Sequence, residues 1–271
     1  KLLVASALLS STAVYADDCT DTSATNCGIT ISGNQTIDID SSISTTDEKG
    51  INITNGSNTL TIDGNITTTT GTANAAMGIR ISNVDAVNNV INLTGDIETI
   101  TNGSATNANG IAITSSASNN TVNITGNIST SGNTLSGILI RASADNNNVT
   151  LTGDINITGA TNAFGVRILG TDAANLSSDN VMTVNGNINT VWHSIDIGTY
   201  SKDNNIVVNG NVQSTGGGAV KISVGSTNNV VVVNGNLTTT ATSESPTIQI
   251  FDQSTDNLII IDGNVTQLAT Q

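Results

Sequence analysis

The only histidine of the chain, His193, stands in the run Trp192-His193-Ser194-Ile195-Asp196, beside a hydroxyl and a carboxylate. Those three groups perform nucleophilic hydrolysis when they contact one another in series. In an extended strand, however, Ser194 and Asp196 share one face and His193 takes the other. The run therefore assembles no triad, and His193 is expected to be an exposed turn residue. Neither a G-x-S-x-G elbow nor a phosphate-cradling G-x-x-x-x-G-K occurs, so no catalytic residue and no cofactor is assigned. Asp38-x-Asp40 and scattered Gly-Asp pairs are the only hints of calcium. Without an EF-hand loop or a G-G-x-G-x-D repeat, no metal ligand is assigned. The cations Lys49, Arg80, Arg141, Arg167, Lys202 and Lys221 are scattered along the sequence. Arg80, Arg167, Lys221 and the acid Asp196 nevertheless share one position of a recurring strand. That pattern suggests alternating charges on a solvated ladder.

Stepping outward from these residues, composition narrows the function classes. The 271 residues carry 7 Lys plus Arg against 21 Asp plus Glu, a net charge of −14 that repels phosphate backbones and excludes nucleic acid as a partner. Only five side chains are Phe, Trp or Tyr, and the apolar set is mostly Ile, Val and Leu, which suits stacked strands better than a globular core. Residues 1–16 read as an export signal whose start is missing. Lys1 remains from the basic region, Leu2 to Leu9 are apolar, and Val14-Tyr15-Ala16 is a small-residue cleavage site. Residues 17–32 read as an amino-terminal cap. Within it Cys19 and Cys27, the only cysteines, are expected to form a local disulfide, the usual fate of a close pair in an exported protein.

Residues 33–271 repeat. A Gly-Asx pair anchors each unit at Gly33, Gly64, Gly95, Gly126, Gly153, Gly186, Gly210, Gly235 and Gly263, at intervals of 24–33 residues. Six residues before every anchor but the first stands an asparagine: Asn58, Asn89, Asn120, Asn147, Asn180, Asn204, Asn229 and Asn257. Aliphatic residues follow each at plus two and plus four, then Gly-Asx and one more aliphatic. A second signal, a small residue followed by aliphatic-x-aliphatic, recurs from Gly50-Ile51-Asn52-Ile53 to Thr247-Ile248-Gln249-Ile250. Alternation over so few residues means strands with one buried face. The periods match a solenoid, and stacking like on like gives an all-β parallel β-helix of eight to nine coils, right-handed because parallel crossovers prefer that hand. The eight asparagines should form an internal ladder of side-chain amides. Insertions at Thr67 to Met77, Thr99 to Asn109 and Leu169 to Asp179 should be loops on the rim.

The outward positions of the second strand are polar in early coils but become aliphatic late. Val207, Val230, Val232, Leu258 and Ile260 thus form a candidate association stripe.

An export signal followed by an acidic, cysteine-poor solenoid built on "N-x-aliphatic-x-aliphatic-x-G-[ND]-aliphatic" resembles the passenger domain of a bacterial autotransporter, over Cys27 to Val265. The resemblance implies display on the surface of a Gram-negative cell. It also implies adhesion or self-association, with another surface molecule, a glycan or a second copy as partner. Membrane attachment would come only through a carboxy-terminal barrel beyond Gln271. The Gly-Asp-Ser-Gly motif of its protease members does not occur. Two other readings stay open: a secreted carbohydrate-active β-helix enzyme, and an ice-binding solenoid suggested by Thr67 to Thr70 and Thr238 to Thr240.

Overall fold

In the computed structural model, the described residues are 14–16 (backbone only), 28–46, 48–70, 76–101, 108–133, 135–159, 162–240 and 245–268. Cys19 and Cys27 lie outside them. Each coil contributes one strand to each of three sheets in turn, as in Ala108–Thr114, Thr121–Thr125 and Ile128–Ser131. The next coil repeats this with Leu135–Arg141, Asn148–Thr152 and Ile155–Thr158. Equivalent strands pair in parallel and in strict register, Ile111 on Ile138, Val122 on Val149 and Ile128 on Ile155. The first sheet has ten strands, the second and third nine each, and all described elements are strands. Among the described strands of the three sheets, the one antiparallel partner is Val14–Ala16, the end of the expected leader, lying along Ile29–Ile31 at the edge of the first sheet.

This parallel β-solenoid makes about seven turns, slightly fewer than the eight to nine expected. The nine strands of the second and third sheets include two end rungs, each with a neighbour on one side only, which leaves seven stacked on both sides. In the last coil Ile250 and Val265 are about half exposed, whereas their counterparts one coil in, Ile222 and Leu237, are buried. A single cluster of Ile, Val, Leu and Ala runs through the interior from Ile31 to Leu237. The third sheet departs from this pattern in one of its two inner columns, which is largely threonine: Thr45, Thr68, Thr99, Thr130, Thr190 and Thr239 are all buried. Threonine keeps the branched shape that suits a strand. Some of its hydroxyls find carbonyls, as Thr99 does on Asn109 at 3.3 Å and Thr101 on Ser131 at 3.1 Å.

The corners explain the repeat. Between second and third sheets, the anchoring glycines stack backbone on backbone, and a Cβ at Gly126 would overlap the carbonyl of Gly95. Any side chain there would push the coils apart. Gly33 does not belong to this stack. Its partner is Gly56, between first and second sheets, and the position under Gly64 in the first coil is Ser41. Gly33-Asn34 mimics the anchor pair in sequence, but the pairing of Ile39 with Ile62 and Ile43 with Ile66 places the corner at Ser41-Ser42. The corner between first and second sheets needs left-handed residues instead. Asn88, Asn119, Asn146, Asp179, Asp203, Asn228 and Asp256 all have φ of 55–58°. Asn and Asp tolerate that region best after glycine. Each immediately precedes a ladder asparagine. The expected loops are also shorter than the insertions: Ile66–Thr70 and Ile97–Thr101 are strands, and Ser177–Ser178 pairs with Ser201–Lys202 in a small extra sheet.

Candidate functional site

The eight asparagines occupy one column inside the first corner, and all but Asn257 are buried. From Asn89 onward, each Oδ1 accepts from the Nδ2 of the asparagine one coil earlier, at 2.7–3.0 Å. It also accepts from the backbone N–H of that same residue, at 2.9–3.1 Å. The remaining amide hydrogen reaches a carbonyl of the preceding coil, as Asn147 does on Ala117 at 3.1 Å and Asn180 on Ala144 at 2.9 Å. A column so fully bonded has no donor or acceptor left for a ligand. It satisfies the backbone at a turn that would otherwise bury unpaired groups.

A second ladder, at the Gly-Asx corner, runs with the opposite polarity. Asn127 N–H donates to Asp96 at 2.6 Å, Asp154 N–H to Asn127 at 2.9 Å and Asn187 N–H to Asp154 at 2.7 Å. Asn211, Asn236 and Asn264 continue it at 2.9–3.0 Å. In the sequence this Asx figures only as the partner of the anchoring glycine. Its recurrence after every anchor was the signal for a ladder. Beside it an open cleft of about 310 Å³ is lined by Asn65, Thr67, Asp96, Glu98, Asn127 and Asn156 among others. No group of three or more His, Cys, Asp or Glu able to hold a metal occurs among the described residues.

The chemistry-bearing side chains gather elsewhere, on the outer face of the first sheet. Arg167, Asp196 and Lys221 lie side by side on adjacent strands. The Arg167 Nε donates to Asp196 at 2.8 Å, and Lys221 Nζ lies 3.7 Å from the other carboxylate oxygen. The ladder of alternating charge is there, but it is not solvated. Asp196 is 1% exposed, because both cations and the neighbouring rungs close over it. Phe164 adds to that cover, with the Arg167 guanidinium 3.9 Å from its ring centre.

His193 needs the same correction. Rather than an exposed turn residue, it is 5% exposed, stacked 6.0 Å from Phe164 and edge-on to Trp192 at 5.2 Å. Its Nδ1 lies 2.9 Å from the Gly218 carbonyl. Burial pushes the imidazole below its ordinary pKa, and the bond to Gly218 only partly offsets this. The Ser194 hydroxyl is held by Thr190 at 2.9 Å and donates to the Gln213 carbonyl at 2.8 Å. Serine and histidine are thus each committed to partners other than one another.

The cations, scattered in sequence, are brought together as well. Lys49, Arg80, Arg141, Arg167 and Lys221 all fall in outward columns of the first sheet. The stripe residues lie on the outer face of the second sheet in two adjoining columns. Val207, Val232 and Ile260 line up in one, Val230 and Leu258 in the other. Only Leu258 and Ile260 are exposed, at 50% and 44%.

Comparison with protein-family models, with curated proteins and with solved structures gave no match. The fold defines the class, a parallel β-solenoid.

Proposed function

We propose that this chain is an exported, rod-like scaffold at the surface of a Gram-negative bacterium, where its outer faces adhere to another surface or to a second copy. The resemblance to autotransporter passengers supports the address. The observation that carries the role is the division of labour within each coil. Inward columns repeat almost unchanged and are closed by two amide ladders, while the outward columns differ from sheet to sheet. Such an interior builds length and rigidity, and leaves the surface free to specify a partner.

Catalysis lies outside this reading. On the first sheet Asp196 is already paired with Arg167 and Lys221, and in the open cleft Asp96 accepts from the Asn127 backbone and side-chain amides, so neither is free to serve as one of the two carboxyl groups that glycoside cleavage uses. Ice binding lacks a regular face on the third sheet, whose outward column reads Thr67, Glu98, Ser129, Asn156, Asn189, Gln213 and Thr238. The test is to couple the full chain to beads and score clumping and binding to bacterial and epithelial cells. Clumping or cell capture above bare beads is the expected result. Beads that behave like uncoated ones in both assays would overturn the reading.

A further inference from the structure

The outer face of the first sheet is basic on an acidic molecule. Five of the six cations among the described residues, Lys49, Arg80, Arg141, Arg167 and Lys221, stand in its outward columns. Asp196 is the only carboxylate in those columns. Its charge is spent on Arg167 and Lys221. Arg80 and Arg141 have no ion-pair partner among the described residues. Arg80 donates to Asn52 at 3.2 Å and to Ser82 at 2.9 Å, both neutral.

These two guanidiniums sit two rungs apart. Between them the face carries the small side chains of Ala112 and Thr114, both buried, so the two guanidiniums stand over a closed floor. Burial lowers the Arg80 pKa, and the Arg141 charge two rungs away lowers it further. A guanidinium stays protonated at neutral pH regardless. Holding like charges together without a counter-ion costs free energy, which an oxyanion seated between them would recover.

We propose that this face is a docking track for an acidic polysaccharide, with a carboxylate or sulfate group seated between Arg80 and Arg141. The inference rests on the surface-adhesion reading and names its partner class. The track follows the rod axis: Arg80 and Lys221 are five rungs apart, about 24 Å at the usual strand spacing. Phe251, 45% exposed and beneath Lys221 at 5.8 Å, closes the far end with an aromatic surface for a sugar ring. A linear polymer with one charge per unit fits this narrow row. Duplex nucleic acid and anionic bilayers spread dense negative charge over an area beyond this face, where a chain of net charge −14 overall repels it.

The experiment places the full chain over immobilised sodium polygalacturonate, heparin, neutral dextran, polyglutamate and phosphatidylglycerol vesicles. The two acidic glycans separate a carboxylate from a sulfate preference. Binding to at least one of them is expected, falling as salt rises from about 50 to about 200 mM. Dextran should not bind. Arg80→Gln with Arg141→Gln should weaken the interaction about tenfold or more. Arg141→Gln alone, which removes no hydrogen bond, should weaken it about threefold with an unchanged melt, and it decides the matter if the double variant fails to fold. Four outcomes overturn the proposal: no binding to either acidic glycan, equal binding to dextran, parental affinity in the variants, or tighter binding to polyglutamate or vesicles. A chain that captures cells but ignores both acidic glycans would sink this inference and leave the surface reading standing.

Discussion

The outer faces of the first and second sheets stand on the same coils and share one interior, yet they are chemically opposite. The first carries Arg80, Arg141, Arg167, Asp196 and Lys221 over a largely buried floor. On the second, the outward positions from Val90 through Val232 hold only Val, Thr and Asn, with Asp38 and Asp63 towards one end and Asp262 at the other. The contrast teaches where constraint lies in a stacked coil. An inward residue must match the coils above and below it, whereas an outward one answers only to solvent or a partner.

The most severe challenge to that division is a charge beneath either face. Ile113 under the first sheet and Ile124 under the second are both buried. We predict that Ile113→Asp and Ile124→Asp each cost several kcal/mol, on the order of the penalty for burying an unpaired carboxylate. Circular dichroism should show a lost β-signal or a much lower melting point in both. A large loss under one face only would mean that the faces do not share an interior.

The ladder comes next in size. Asn147 accepts from Asn120 and donates to Asn180 and Ala117. Asn147→Ala should cost roughly 2–4 kcal/mol, since it leaves several buried polar groups unpaired. Asn123, an outward residue bonded to Asn92 at 2.9 Å on the half-buried second face, should lose less than about 1 kcal/mol when changed to Thr. Urea midpoints of the two variants would sharpen the contrast or erase it.

A smaller effect belongs to His193. Its folded pKa lies below the unfolded value because the ring is buried, so the unfolded chain takes up the proton first as pH falls. Stability should therefore be full above the ordinary histidine pKa and decline below it. Denaturant midpoints at about pH 7.5 and about pH 5.5 bracket that window. The parent should lose stability on acidification, and His193→Gln should lose less. Equal losses would show that His193 does not carry the dependence.

Much of this was legible in the sequence. The Asn column, the anchoring glycines and the alternating aliphatics recur because parallel stacking forces identical positions together. The outward column of Arg80, Arg167, Asp196 and Lys221 was visible for the same reason. Arg141 was missed because it stands two residues further along its strand, and only register shows that it shares the face. The burial of His193 and Asp196 was not readable either. Alternation says which way a side chain points, but Phe164, Trp192 and the two cations from neighbouring rungs decide whether water reaches it. Gly33 misled for a complementary reason: a Gly-Asn pair looks the same at two different corners.

The central claim is that a common, hydrogen-bonded spine carries faces free to diverge. Residue-resolved amide hydrogen exchange on Asn147→Ala tests it most directly. The Asn120 N–H donates to the Asn147 side chain at 3.1 Å, whereas the Asn148 N–H donates to the Asn120 carbonyl at 2.8 Å. The account predicts that Asn120 loses its protection while amides several coils away, such as those of Asn204 and Val230, keep theirs. Full protection at Asn120 in the variant would contradict it.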